Sequence, residues 1–535
     1  MISTLRTRRN QYNSTYRLPN EVLSLIFQFT ECSSGNPLRP LRTRAPLNVA
    51  AVSRLWREVA LNTPSLWTRI DVMAPWLMRI FLKRSKEVPL RIEIDGDKLD
   101  KLSSWAFAEF TWFACDTDKE GSKEEDEDAR MHEDGSGEED AHNSESDYGR
   151  AAPAPSRFSR LIGFLKPAAH RWASVELRGV LAAEDLQTLC FPLSSLESLR
   201  MNCSDTGLAY KLGTGTVFHA TAPHLRDLHL AGVPIPFTSP IYTGLTNLHL
   251  EHMRHTTSTI SQFLSILAAC PDLESLILIK TYFHHLELAE NSALSIPIKL
   301  DRLQRLQLNR VDGHLVRVVL NSISAPSSVI LDLGMEVSSW AEVLMPTNMA
   351  NAPLVRHMLI SSNYASSEVP AYAITGKASE EGPTILEIRY FTYPSFIGSH
   401  TPDFLRYLGQ GNAFSSLEFL TFNQWDVHYQ SNASAFAEML GNLASLKVLT
   451  LGWCPSTYLD ALIVSPHHNV CPRLQTLRLR RVEFDETLLK LVESRARDRG
   501  NLESLELAGY FKYPCVSIIA ALKGLVAVSE NPVLY

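Results

Sequence analysis

Cysteine is scarce in this chain. Eight occur in 535 residues (Cys32, Cys115, Cys190, Cys203, Cys270, Cys454, Cys471 and Cys515), and no two form a Cys-x-x-Cys pair. That spacing excludes a disulfide framework and a compact zinc cassette, and it suits buried thiols in a reducing compartment, cytoplasmic and/or nuclear. Long apolar runs are also missing. Met1 to Asn13 is polar and basic, and the most apolar late stretch, Val516 to Val528, is interrupted by Lys523 and Gly524, so no signal peptide and no membrane span are expected. The formal charge of −7 is concentrated: 116–147 alone holds 15 acidic and 3 basic residues, leaving 48 Lys and Arg against 43 Asp and Glu elsewhere. With no dense basic stripe, a nucleic-acid footprint is not supported.

Catalytic signatures are equally sparse. Neither a Gly-x-Ser-x-Gly elbow nor a His-Glu-x-x-His pair occurs. Gly213-Thr214-Gly215 lacks the third glycine and the βαβ setting of a dinucleotide loop. His467 and His468 with Cys471 and Cys454 match no zinc spacing, and the Cys-Pro-x-Leu frame at Cys471 recurs at Cys270, as a buried thiol ahead of a repeated strand would. No catalytic residue, metal ligand or cofactor is therefore expected.

A repeat is what the sequence does contain. Leu-x-x-Leu-x-Leu recurs at Leu225-Leu228-Leu230, Leu245-Leu248-Leu250, Leu273-Leu276-Leu278, Leu303-Leu306-Leu308, Leu446-Leu449-Leu451, Leu474-Leu477-Leu479 and Leu502-Leu505-Leu507, with degenerate members at Leu196-Leu199-Met201 and Leu417-Leu420-Phe422. The last four units start 29, 28 and 28 residues apart, the period of a leucine-rich repeat built from a strand and a helix. The 114 residues from Leu303 to Leu417 hold weaker units at Val329-Leu331-Leu333, Val355-Met358-Ile360 and Leu386-Ile388, which predicts an array continuous through this gap. Upstream, Trp172-Val175-Leu177, Ile92-Ile94 and Trp67-Ile70-Val72 extend it, giving on the order of a dozen or more units. Helical stretches at 259–269, 433–443 and 485–499 alternate with the strands, so the expected architecture is α/β: a curved solenoid, parallel strands inside and helices outside.

Ahead of the array, residues 16–29 place Pro19 at a helix start, followed by apolar Val22, Leu23, Ile26 and Phe27 on one arc. A second apolar-periodic stretch runs through Leu47, Ala51, Val52, Leu55, Trp56 and Val59, with Ser53 as an N-cap or local break. These residues resemble the F-box: Leu18-Pro19-Asn20-Glu21-Val22-Leu23 with Ile26-Phe27 matches its opening, and Val52-Ser53-Arg54-Leu55-Trp56-Arg57 its closing helix. The 32–46 connection is longer than the family's usual one, and Ser53 stands where Cys is frequent. Together with the stretches around Trp67, Phe81 and His170-Arg171-Trp172, the arrangement is similar to the F-box-like repeat proteins of mushroom-forming fungi. The resemblance implies that Leu18, Pro19, Val22, Leu23, Ile26, Phe27 and Trp56 are docking or core positions for a Skp-type adaptor, and through it a cullin-RING ubiquitin ligase (SCF).

The expected organisation is a flexible N-terminus (1–15), the F-box (16–66), first repeat-like units (67–114), a disordered acidic insert (115–150) and the solenoid (151–535). The insert carries Ser122, Ser136 and Ser144, each with an acidic residue three positions on, a pattern favoured by acidophilic kinases; a solvated spacer is the plainer reading. Leucines of the repeat build the core, so recognition of a target protein is expected at exposed strand positions and strand exits: His229, His249, Arg305, Phe419, Trp425, Trp453, Arg478 and Arg480. Two non-catalytic readings follow, a substrate receptor of an SCF ligase or a ligase-independent scaffold whose first helices merely cap the repeats.

Overall fold

The computed structural model describes residues 14–33, 45–101, 156–179, 188–203, 222–255, 258–283, 297–336, 348–362, 371–391, 413–423, 433–465, 469–482, 484–497, 502–509 and 516–531, with Asp185, 404–406 and 408. The N-terminal tail, the acidic insert with its three serines, the Gly213 to Gly215 segment, Trp425 and the His467-His468 pair lie outside them. Two compact units result, Met1–His224 and Leu225–Tyr535.

Pro19 opens the first unit's leading helix, α1 (Asn20–Ser33), where its carbonyl accepts from the Leu23 amide at 3.0 Å. Ser53 both separates and caps the next two helices, α2 (Ala45–Val52) and α3 (Arg54–Leu61): its extended backbone breaks the first, and its hydroxyl accepts from the Trp56 amide at 3.2 Å to start the second. Leu23 and Phe27 are almost fully buried, Phe27 with its ring centroid 5.0 Å from that of Trp56. Three short helices enclose little apolar volume. The deficit is met by the turn Pro64–Trp67, whose buried Trp67 donates its indole N–H to the Ala60 carbonyl at 2.8 Å and meets Phe81 edge-on at 5.0 Å.

Phe81 belongs to the first repeats. Strand β1 (Arg69–Asp71) leads through α4 (Pro75–Arg84) to β2 (Leu90–Asp95), then α5 (Gly96–Lys101), α6 (Arg157–Leu165), β3 (Trp172–Arg178) and β4 (Ser198–Asn202). The four strands form a parallel ladder that aligns Ile70, Ile92, Val175 and Leu199 in one buried row. The weak upstream units are thus true strands of the repeat.

The second unit repeats this rule. Strands β5 (Asp227–Ala231), β6 (Asn247–Glu251), β8 (Ser275–Ile279), β11 (Arg305–Asp312) and β13 (Ile330–Glu336) pair in parallel, aligning Leu228, Leu248, Leu276, Leu306 and Leu331. Short outer pairs flank them: β7 (Arg254–His255) with β9 (Tyr282–Phe283), and β10 (Ile298–Lys299) with β12 (Ile323–Ser324). Helix α7 (Ile260–Ala268) starts at a capping box of Thr259 and Gln262, and α8 (Gly313–Ser322) starts at Asp312. Further on come β14 (His357–Ser362), β15 (Tyr372–Lys377), β16 (Thr384–Phe391), β17 (Phe419–Asn423), α9 (Ala433–Gly441), β18 (Val448–Gly452), α10 (Thr457–Asp460), β19 (Thr476–Arg480), α11 (Glu486–Arg497), β20 (Ser504–Ala508), α12 (Val516–Lys523) and β21 (Ala527–Asn531). Helices cover the leucine side of the sheet: Phe436 of α9 stands 5.5 Å from Phe422 of β17 and stacks on Tyr458 of α10 at 4.1 Å.

Between residues 330 and 423 the array departs from the expected all-parallel order. β13 pairs in parallel with β16, not with β14; β16 and β15 pair antiparallel, β15 and β14 pair antiparallel, and β14 rejoins β17 in parallel. All three weak units are strands of the sheet, but the Leu386 unit sits beside Leu331 and the Met358 unit beside Leu420, with an unforeseen strand between them. β15 fits because Gly376 lacks a side chain: a Cβ there would stand 3.0 Å from both Val355 methyls and 3.2 Å from the Leu386 Cβ. Gly376→Ala is expected to destabilise the chain by ~1–3 kcal/mol, the usual range for overpacking, seen as a lowered thermal midpoint.

The Cys-Pro-x-Leu frame has the structural role its recurrence suggested. Cys270 donates its thiol to the Tyr242 carbonyl at 3.1 Å, and Cys471 donates to the Leu440 carbonyl at 3.5 Å, each closing the preceding repeat. Burial pushes the Cys471 thiol up to about 12, away from a reactive thiolate.

Candidate interaction surfaces

The apolar arc of α1 divides in two. Leu23 and Phe27 point into the bundle at 1% exposure each, whereas Val22 (38%), Leu25 (52%), Ile26 (39%) and Phe29 (71%) are exposed. Residues 22, 25, 26 and 29 follow the i, i+3, i+4, i+7 spacing of a single helical stripe. Pro19 at the head of the helix is exposed as well, Leu18 and Trp56 are half-buried, and Val52 at the end of α2 is 56% exposed. Of the seven residues assigned to adaptor binding, Leu23 and Phe27 are therefore core, out of reach of a partner in this conformation. Leu25, Phe29 and Val52, not singled out from the sequence, are in reach. For Leu25 and Phe29 the signal was the register of the stripe itself, continued from Val22 and Ile26 at the i+3 and i+7 positions.

In the second unit, alternate strand residues leave the buried leucine rows and line the opposite, open face of the sheet. His229 and His249 face each other across β5 and β6 and stack with centroids 3.9 Å apart. Glu251, two positions beyond His249, brings a carboxylate oxygen to 3.6 Å from the His249 Nε2. Arg305 on β11 is exposed and donates to Gln307 at 3.0 Å. Phe419 on β17 stacks on His357 of β14 at 4.1 Å, and desolvation lowers the pKa of that histidine. Arg478 of β19 pairs with Glu506 of β20 at 3.0 Å, and Arg480 is exposed. These residues share a face but not a locus: the histidines sit on β5 and β6, Arg305 on β11, and the rest on β14 to β20.

A further regularity lies at the strand exits. His252, Lys280, Trp453 and Arg481 follow directly on β6, β8, β18 and β19, and all adopt left-handed backbone, with φ of 51°, 47°, 56° and 53°. Each amide donates at 2.9 Å to a strand carbonyl of the neighbouring repeat, that of Ile279, Asn309, Arg480 and Ala508 respectively. Non-glycine residues pay roughly 1–2 kcal/mol for this conformation, and here the inter-repeat bond recovers part of it. The turn also sets side chains of consecutive repeats beside one another, as where the Arg481 guanidinium lies 4.6 Å above the exposed Trp453 ring. Arg481 and His357 are interface candidates that the sequence did not single out.

A small helical module followed by stacked strand-and-helix repeats defines a leucine-rich-repeat fold. Residues 15–73 match the F-box-like family, so the chain carries an F-box-like domain followed by leucine-rich repeats. Among solved structures it is similar to an internalin from Listeria monocytogenes, at 14% identity over 66% of this chain and 98% of that one, with a TM-score of 0.25. No curated protein matches the sequence. Among the described residues, no helix is long and apolar enough to cross a membrane.

Proposed function

We propose that the chain is the substrate-recognition subunit of an SCF-type ubiquitin ligase, non-catalytic itself and working in the cytoplasm or nucleus. The F-box-like domain would hold a Skp-type adaptor, and the open sheet face of the repeats a protein target. Transfer chemistry would then occur on partner subunits, with this chain supplying proximity. The observation that carries the reading is the exposed stripe of Val22, Leu25, Ile26 and Phe29. A capping module covers one apolar edge of a solenoid and turns a polar face outward. This one is apolar on both sides, which favours a docking helix over a ligase-independent cap.

The test is binding of the purified full chain to a Skp-type adaptor by calorimetry. Val22→Asp with Ile26→Asp changes only exposed positions, so the fold should hold while affinity falls by at least roughly 100-fold, the order expected from burying two charges in an apolar interface. Wild-type protein that does not bind, or a folded double variant that binds equally well, overturns the proposal. Leu23 and Phe27 are unsuitable targets because their loss would unfold the module.

A further inference from the structure

The geometry points to a binding site for a zinc-class divalent ion formed by His229, His249 and Glu251 on the open face of β5 and β6. The two histidines occupy the same position in adjacent repeats, and the parallel register sets them directly opposite each other. Glu251 ends β6 on the same face. Its Oε2 lies 3.6 Å from His249 Nε2 and 3.9 Å from His229 Nε2, and all three donor atoms lie within 4.8 Å of one another. Each side chain is about a quarter to a third exposed, so the donors are partly desolvated yet open to an entering ion.

Two imidazoles and one carboxylate form a borderline donor set, suited to zinc or cobalt and poorly suited to calcium or magnesium. Tetrahedral ligation at about 2.0–2.2 Å puts donor atoms roughly 3.3–3.6 Å apart, so the two carboxylate–imidazole separations of 3.6 and 3.9 Å need only a slight contraction. The imidazole rings lie parallel, at an interplanar angle of 9°. To aim both lone pairs at one ion they must splay about χ2, a soft torsion for histidine. β6 is held in the ladder on both sides, by β5 and β8, so the rearrangement falls on the side chains.

His252 completes the arrangement as a positioning residue. The left-handed turn after β6 brings its Nε2 to 3.4 Å from Oε1, whereas the two other histidines approach Oε2. Holding that oxygen would orient Glu251 toward the ion, as outer partners of metal carboxylates do. Three protein donors leave a fourth position for water or for a side chain of a bound protein, which would place the ion within the recognition face itself. The site does not depend on whether the first unit docks a ligase adaptor.

Metal-stripped full-length chain, titrated with Co²⁺ by absorption and with Zn²⁺ by equilibrium dialysis, tests the site. One ion per chain is expected, with a visible cobalt spectrum and no thiolate charge-transfer band, since no cysteine belongs to it. His229→Asn with His249→Asn should weaken binding by at least roughly 100-fold while leaving the metal-free circular dichroism unchanged, and Glu251→Gln alone should weaken it by roughly tenfold or more. His252→Ala should weaken it less than Glu251→Gln and leave the stoichiometry intact. Absence of binding at millimolar ion, a thiolate band, or a folded double variant that binds as wild type does overturns the assignment.

Discussion

Replacing Arg495 by methionine is expected to destabilise the C-terminal repeats by on the order of 3 kcal/mol, because it removes a buried donor group that serves three carbonyls at once. Arg495, on α11, is almost fully buried. It donates through Nε to the Leu462 carbonyl at 3.0 Å, through Nη2 to Val470 at 2.9 Å and through Nη1 to Cys471 at 3.4 Å. Desolvation lowers its pKa, yet a guanidinium stays protonated, so its charge is solvated by backbone dipoles of the preceding repeat. Methionine keeps the aliphatic volume and removes all three bonds. Relief of the buried charge offsets part of the loss, and the Cys471 carbonyl keeps the Leu474 amide as a donor at 3.1 Å, which is why the expectation is below the sum of three lost bonds. A repeat array need not unfold in one step. The decisive measurement is therefore amide exchange along β18, β19 and β20, where protection should fall roughly a hundredfold. Unchanged protection would show that the three bonds contribute nothing, and Arg495→Lys should lie between the two.

The second large effect is acid sensitivity set by His255. This residue is 3% exposed, packed 4.2 Å from Phe237 and 5.4 Å from Phe283 by ring centroids, and its Nε2 finds no hydrogen-bond partner among the described residues. Burial alone lowers its pKa from 6.5 to about 4. The folded chain thus keeps the imidazole neutral where the unfolded chain already binds a proton. Between pH 6.5 and about 4 the unfolded state holds more protons, so stability falls as pH falls. At 1.36 kcal/mol per pK unit the loss amounts to about 3 kcal/mol across that window. His255→Phe, which continues the aromatic cluster, should leave the melting temperature near neutral pH little changed and flatten its decline from pH 6.5 to 4. An equal acid decline in the variant would mean that other groups govern it.

Much of the fold could be read from the leucines. Their offsets mark the strands, because each repeat can bury its apolar side only against its neighbours and so must keep one register. The order of strands between 330 and 391 could not be read that way. Alternation marks a strand, but it is the same for parallel and antiparallel neighbours, so the Met358 and Leu386 units gave no sign of their reversed placement. One local signal did exist: the turn-rich Ser379-Glu380-Glu381-Gly382-Pro383 between two alternating stretches reads as a hairpin connection. Likewise the arc of Val22, Leu23, Ile26 and Phe27 marked an apolar helix face of docking or core positions, yet its width could not say which half would be covered. The rest of the bundle took Leu23 and Phe27 and left Val22 and Ile26 outside.

The sequence by itself determined the repeat, the helical module before it, and the rule that leucines build while the residues between them remain for recognition. Each of these depends on spacing along the chain, which periodicity reports directly. Only the tertiary structure decided which exposed residues stand together. His229 and His249 lie twenty residues apart and match no ligand motif, but one repeat carries the chain around to the adjacent strand, and the parallel register closes that gap to 3.9 Å between rings. Glu251 and His252 join them because the strand ends there and the backbone turns left-handed. Proximity across a sheet depends on strand order and register, properties that spacing within one strand does not encode.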